Sequence, residues 1–141
     1  MIRAVVDTNI IISAFFWGGI PRLVLDAARA KRFQMITSMP LIFELSQVIL
    51  RPKFSSRLAQ IGDNSASFLD DNFFALVEVV EPAKNIPINI QDTDDIALIA
   101  CAVGGNAGFI ISGDNLLLEL AEFNQIKIWS AARFLAEGLP T

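Results

Sequence analysis

Four acidic residues, Asp7, Glu44, Asp95 and Asp114, occupy positions from which their carboxylates could meet at one place. Asp7 directly follows the β-branched run 2–6, and Asp114 follows Phe109-Ile110-Ile111 after a Ser-Gly step, so both stand where a buried strand gives way to a turn. Glu44 falls among Leu41, Ile42, Leu45, Val48 and Ile49, which are apolar at helical spacing, and Asp95 falls in the first turn of the most apolar helix of the chain. Carboxylates gathered in a partly desolvated pocket repel one another, so such a group is tolerable only when protons or cations neutralise it. Oxygen-only ligands favour Mg²⁺ or Mn²⁺. One or two such ions can polarise a phosphodiester, activate a water and stabilise the leaving oxygen.

Each acid also has a purely structural reading. Asp7 can cap the helix that follows it. Asp114 in Ser-Gly-Asp-Asn can be a turn or cap residue, and Asp92 with Asp95 three residues on has the form of a capping box. Glu44 faces solvent if the helix phase shifts by one position. Only the four together point to a shared site.

Positioning these residues requires strands that alternate with helices. The spacing predicts a strand over 2–6, a turn at Asp7-Thr8-Asn9, and a helix reaching Phe16 before the break at Trp17-Gly18-Gly19. A second helix is expected from Pro21 to about Arg32, with Leu23, Val24, Ala27 and Ala28 as its apolar stripe. A strand over 33–36 leads through Thr37-Ser38, an N-cap, into a helix ending near Leu50 before Arg51-Pro52. An amphipathic piece over 53–60, a helix over 66–77, a brief extended segment at 79–80 and an irregular connector over 83–91, with Pro87 inside, come next. The central helix is expected over 96–103, stopped by Gly104-Gly105, then a strand over 109–111, a helix over 116–122, a strand over 126–129 and a terminal helix over 130–137. This alternation predicts a parallel sheet of four to five strands with right-handed crossovers and helices on both faces.

The absence of histidine removes Ser-His-Asp triads, His-based zinc sites and imidazole acid–base catalysis; with no tyrosine either, polar chemistry falls to carboxylates, hydroxyls and amides. Hydrophobic residues make up 53% of the chain and charged residues 18%, which argues against disorder and leaves more apolar material than one small core must bury. A homodimer is therefore expected, built from a single domain over residues 1–141. Cys101 lies in an apolar run and reads as a small buried hydrophobe in a reducing compartment. No apolar run reaches the roughly 18 to 20 residues of a membrane span, and charge appears too early for a signal peptide, so no membrane is expected and a cytoplasmic location is. The net charge of −4 is uneven: residues 1–57 hold eight of the eleven basic side chains, a half that could lie along a phosphate backbone.

Val-Val-Asp-Thr-Asn-Ile-Ile-Ile-Ser-Ala at 5–14, Leu-Ile-Phe-Glu-Leu-Ser-Gln-Val-Ile-Leu at 41–50, Asp-Asp-Ile-Ala-Leu-Ile-Ala-Cys-Ala at 94–102 and Phe-Ile-Ile-Ser-Gly-Asp-Asn at 109–115 together resemble the PIN-domain nucleases in order and spacing. The resemblance covers nearly the whole chain and is strongest to bacterial PIN proteins classed as toxin components of toxin–antitoxin systems, similar to VapC-type toxins. It implies a three-layer α/β/α sandwich with a mostly parallel sheet, and Mg²⁺- or Mn²⁺-dependent cleavage of single-stranded RNA. It further implies that Asp7, Glu44, Asp95 and Asp114 are the family's four acids, catalytic and metal-binding, with Thr8, Asn9 and Ser112 as polar supports. Asp92 and Asp94 belong to a more variable part of the motif, where either assists a metal or merely caps. On this reading Arg22, Arg51, Lys53 and Arg57 are the candidates for RNA contact and a cognate antitoxin would be a partner, although no antitoxin-binding signature stands out. The competing reading is a non-catalytic PIN-like module whose apolar surface around Phe15, Phe16, Trp17 and Phe54 binds another protein. A phosphoacceptor receiver domain fits poorly because the acid pair at 94 and 95 does not follow a strand. A haloacid-dehalogenase-type phosphatase would want a second Asp where Asn9 stands.

Overall fold

Side-chain alternation along the first strand sets the layers of the molecule, which is described by a computed structural model over residues 1–86 and 92–140. In β1 (Arg3–Val6), Ala4 and Val6 enter one apolar cluster and Val5 another, and all three are buried. A strand buried on both faces has helices above and below it. The sheet has six strands in the order β3-β2-β1-β4-β6-β5, where β2 is Gln34–Thr37, β3 Val77–Val79, β4 Phe109–Ile111, β5 Glu122–Phe123 and β6 Ile126–Trp129. Every pairing is parallel except β5 with β6, and Val5 lies opposite both Ile36 and Ile110.

On one face, α1 (Thr8–Phe16), α2 (Gly19–Arg29), α4 (Pro52–Gln60), α5 (Ser65–Leu69) and α8 (Ala131–Arg133) share a core with Ala4 and Val6. On the other, α6 (Thr93–Gly104) and α7 (Asn115–Leu120) pack Leu98, Ile99, Ala102 and Leu117 against Val5, Ile36 and Ile110. Helix α3 (Met39–Ile49) contributes to both, Leu41 to the second core and Leu45, Val48 and Ile49 to the first. The result is the expected α/β/α sandwich.

The sixth strand is a departure from the four to five expected. Residue Glu122, expected at the end of a helix, pairs with Lys127 instead. Helix α7 stops because Ala121 takes φ +65°, and Asn124 and Gln125, also at positive φ, fold the chain back as a tight hairpin. The helix expected over 66–77 is likewise cut short: α5 ends at Leu69, a π-helical turn covers Asp70–Phe74, and Val77 belongs to β3. Here the Asn72 side chain donates to the Phe68 carbonyl at 3.0 Å, competing with the backbone ladder. In α2 the stripe includes Leu25 in place of Leu23, which is exposed. Ser38 occupies the N-cap position of α3 but makes no capping hydrogen bond with its side chain. The terminal helix passes after Arg133 into a π-helical turn, Phe134–Gly138, with Phe134 fully buried against Phe33 and Phe109. Of the expected connector, residues 87–91 lie outside the described residues.

Cys101 is buried as expected, and burial pushes its thiol up to about 11, so it is inert as a nucleophile. Among the described residues no single helix is long and apolar enough to cross a membrane. Gly104, at the end of α6, is required sterically: a Cβ there would collide with the carbonyl oxygen of Glu81 and crowd Ala83 N at 2.8 Å. Gly104→Ala is expected to destabilise the protein by about 1–3 kcal/mol. A chemical-denaturation midpoint unchanged from wild type would show that the 81–83 segment yields freely.

Candidate functional site

The strand order reverses direction between β1 and β4. From β1 the chain builds outward through β2 to β3, and from β4 through β6, so a crevice opens beyond the carboxyl ends of β1 and β4. Asp7 and Ser112–Asp114 are the residues that leave those two strand ends. The Asp7 N–H donates to the Ile111 carbonyl at 2.9 Å, which fixes the two exits side by side.

Asp7 is the N-cap of α1. One of its carboxylate oxygens accepts from the Asn9 N–H at 3.4 Å, and the other accepts from the Ser112 hydroxyl at 2.9 Å. Ser112 is buried, and its oxygen in turn accepts from the Asp114 N–H at 3.0 Å. One hydroxyl thereby joins the Asp7 carboxylate to the backbone of Asp114. Asp114 caps α7 by accepting from the Leu116 N–H at 2.9 Å, and Asp92 caps α6 by accepting from the Asp94 N–H at 2.8 Å. Each of these two caps engages a single carboxylate oxygen and leaves the other available. Capping does not keep Asp92 and Asp114 from facing the cavity, while both Asp7 carboxylate oxygens accept a hydrogen bond.

Asp7, Asn9, Glu44, Asp92, Asp94, Asp95 and Asp114 line one cavity of about 450 Å³, with Ser13, Gly113, Ile10 and Leu98 completing its wall. All four principal acids expected from the sequence are therefore brought together, from β1, α3, α6 and the start of α7. Thr8 and Ser112 are buried behind the wall. Arg22, Arg51, Lys53 and Arg57 do not line the cavity. Arg22 is paired with Asp26 at 3.5 Å, Lys53 lies over the Phe54 ring, and Arg57 lies over the Trp17 ring. The aromatic surface expected around Phe15, Phe16, Trp17 and Phe54 is largely internal: Phe54 is buried, Phe15 and Phe16 pack against the core, and Trp17 alone of the four is exposed. Sequence reasoning passed over Ser13. Its place one helical turn after Asn9 was the available signal.

Burial dominates the electrostatics. Asp95, a residue 6% exposed, has its carboxyl pushed up from 3.8 to about 6, first by desolvation, then by the charges of Asp114 and Asp92. Asp7 is raised by desolvation and by Asp114 and Asp94, against the opposing hydrogen bonds from Ser112 and Asn9. Glu44 is raised by desolvation and by Asp94 and Asp7, with Thr8 working against the rise. Three acids from separate elements thus hold protons more firmly than they would in water, first because burial strips water from the charged form and then because neighbouring acids add negative charge. Among the described residues the wall contains no arginine or lysine.

Such a cavity suits a cation. All of its donors are oxygens, the ligand class of hard divalent ions. Among the described residues no three acids stand close enough to grip an ion as their side chains lie. The carboxylates ring the space without converging on a point.

A protein-family model described as PIN domain matches residues 3–116, a span that includes all four acids. No curated protein matches the chain.

Proposed function

The chain belongs to the PIN-domain family, and from that premise we propose that it is a divalent-metal-dependent endoribonuclease acting on single-stranded RNA. PIN domains are nuclease-type domains that generally use divalent metals, and a nucleic acid is the substrate they imply. The observation that carries the finer reading is the meeting of Asp7, Glu44, Asp95 and Asp114 at one cavity whose wall, among the described residues, contains no arginine or lysine. Mg²⁺ or Mn²⁺, as one ion or two, would supply there the polarisation of the phosphodiester and the activation of water.

The chain's own groups have distinct tasks. Asp7, Asp95 and Asp114 would hold the ions, and Glu44, on α3, would hold a second ion or orient the attacking water. Ser112 positions Asp7, and Thr8 positions Glu44. Asn9 at the rim offers an amide to a phosphate oxygen, and Asp92 either assists the metal or serves as a cap alone. Arg51, Lys53 and Arg57, with Arg22, attract the phosphate backbone outside the cavity. The same reading takes residues 1–141 as one domain, a homodimer working in the cytoplasm as the toxin of a toxin–antitoxin pair with a cognate antitoxin protein. The exposed Met39 and Phe43 on α3, with Leu50 just after it, provide apolar surface for self-association. Light scattering at micromolar concentration should return a dimer mass, and a monomer mass would remove that part of the proposal.

Ser112→Ala removes the hydroxyl that joins Asp7 to Asp114 while leaving their backbone contacts in place. Cleavage is expected to fall about 10- to 100-fold, as for other groups that orient metal ligands. A rate within twofold of wild type would deny Ser112 that task. The proposal itself is tested by calorimetric titration with Mn²⁺ alongside cleavage of a single-stranded oligoribonucleotide. Saturable binding and cleavage support it. Protein that takes up no Mn²⁺, cuts no RNA and yet forms a stable heteromeric complex would establish the non-catalytic interaction module in its place.

A further inference from the structure

Helix α1 runs from the acid cavity to an exposed tryptophan. Asn9 and Ser13 line the cavity, and Trp17 follows at the same four-residue step, so the three lie along one helical face. The eight residues from Asn9 to Trp17 correspond to about 12 Å of helix rise. Trp17 N–H makes the last regular helical bond, to the Ser13 carbonyl, and the helix stops as Gly18 and Gly19 take φ +77° and +67°, conformations disfavoured for other residues. Trp17 is left 59% exposed, whereas Trp129 is 9% exposed.

Trp17 is nevertheless held in place. The Arg57 guanidinium lies 4.7 Å from its ring centroid, and next to this pair Phe16 stacks on Phe54 at 4.7 Å, tying the end of α1 to α4. Lys53 lies 4.9 Å above the Phe54 ring. Helix α4 contains no acidic residue, and among the described residues Arg51, Lys53 and Arg57 form no ion pair. This end of the molecule therefore presents one fixed aromatic ring, one planar guanidinium and two further cations, joined by α1 to a cavity of opposite charge. An apolar peptide would gain little from unpaired cations, and the phenylalanines it would seek are turned inward. A single-stranded polynucleotide suits every group: the ring and the guanidinium offer flat faces to a base, and the cations neutralise phosphates.

We infer that Trp17 and Arg57 form a stacking platform for one unpaired nucleobase, seating the strand at a fixed distance from the bond cleaved in the cavity. The inference rests on the nuclease reading and adds to it a residue that sets strand position. Neither residue touches the reacting atoms, so both act through substrate placement.

The test uses fluorescent single-stranded oligoribonucleotides with one abasic position moved along the strand. Binding is measured in chelator, where no cleavage occurs, and cleavage in Mn²⁺. Trp17→Leu should weaken binding about 5- to 50-fold and raise KM by a similar factor with kcat nearly unchanged; Trp17→Phe should recover part of the loss. One abasic position should cost wild type the same factor and cost Trp17→Leu nothing further. Thermal melts of each variant matching wild type would exclude misfolding as the cause. Trp17→Leu with wild-type affinity and KM overturns the platform, and if that variant also loses a protein partner the face belongs to protein docking. Failure of wild type to bind or cut any RNA would instead remove the nuclease reading on which the platform rests.

Discussion

Asp7→Asn is expected to lower Mn²⁺-dependent cleavage by about 10³-fold or more, with the fold intact. The substitution is nearly isosteric, and the amide oxygen can still accept either from the Asn9 N–H or from Ser112. Its charge is lost, and with it the attraction for a divalent ion at the point where β1 and β4 leave the sheet. Calorimetry should show a matching loss of Mn²⁺ affinity, and circular dichroism an unchanged spectrum. Cleavage by the purified variant at more than a tenth of the wild-type rate would mean that Asp7 is a capping residue and nothing more.

Asp95→Asn should move activity and stability in opposite directions. Cleavage should again fall about 10³-fold. The metal-free protein, in contrast, should become more stable, because the folded state of the wild type carries a buried carboxylate beside Asp114 and Asp92. The folded-state value of about 6 lies above the ordinary 3.8, so the fold binds a proton more tightly than the unfolded chain does. The stabilisation this gives is complete below the ordinary value and is lost as the pH rises through about 6. Asp7 and Glu44 are shifted in the same direction and add to the effect. In chelator the wild type should therefore melt higher at about pH 5.5 than at about pH 7.5. At the higher pH Asp95→Asn should gain about 1–2 kcal/mol after allowance for solvent screening, or roughly 3–8 °C. Saturating Mn²⁺ should stabilise the wild type at neutral pH and leave the variant unmoved. A variant less stable than wild type in chelator at neutral pH would show that Asp95 is needed for folding and is not a strained functional acid.

Much of this architecture was legible because the signals were local and strong. The runs at 109–111 and 126–129 coincide with β4 and β6, and the apolar stretch after Asp95 is the buried helix α6. The acids at the strand exits could be read because a carboxylate directly after a buried β-branched run has few places to go. Long-range pairing was harder to see. The two-residue β5 exists only because β6 is there to receive it, and no periodicity survives in so short a segment. The π-helical turn at Asp70–Phe74 accompanies a side-chain hydrogen bond from Asn72 to the Phe68 carbonyl, which periodicity does not reveal. In the site, sequence identified Ser112 as a polar neighbour but could not show that its single hydroxyl connects Asp7 to Asp114. That link spans 105 residues and arises only when β1 and β4 pair. Trp17 likewise read as one of four aromatic residues on a surface, until burial of Phe54 left it standing with Arg57.

The most direct measurement is cleavage of a mixed pool of single-stranded RNA by the wild-type protein, with Mn²⁺ and with chelator, beside Asp7→Asn protein purified in the same way. The account predicts discrete fragments with wild type and Mn²⁺ alone, and an intact pool in chelator and with the variant. Identical fragments in chelator or with Asp7→Asn, or an intact pool under every condition, would contradict it.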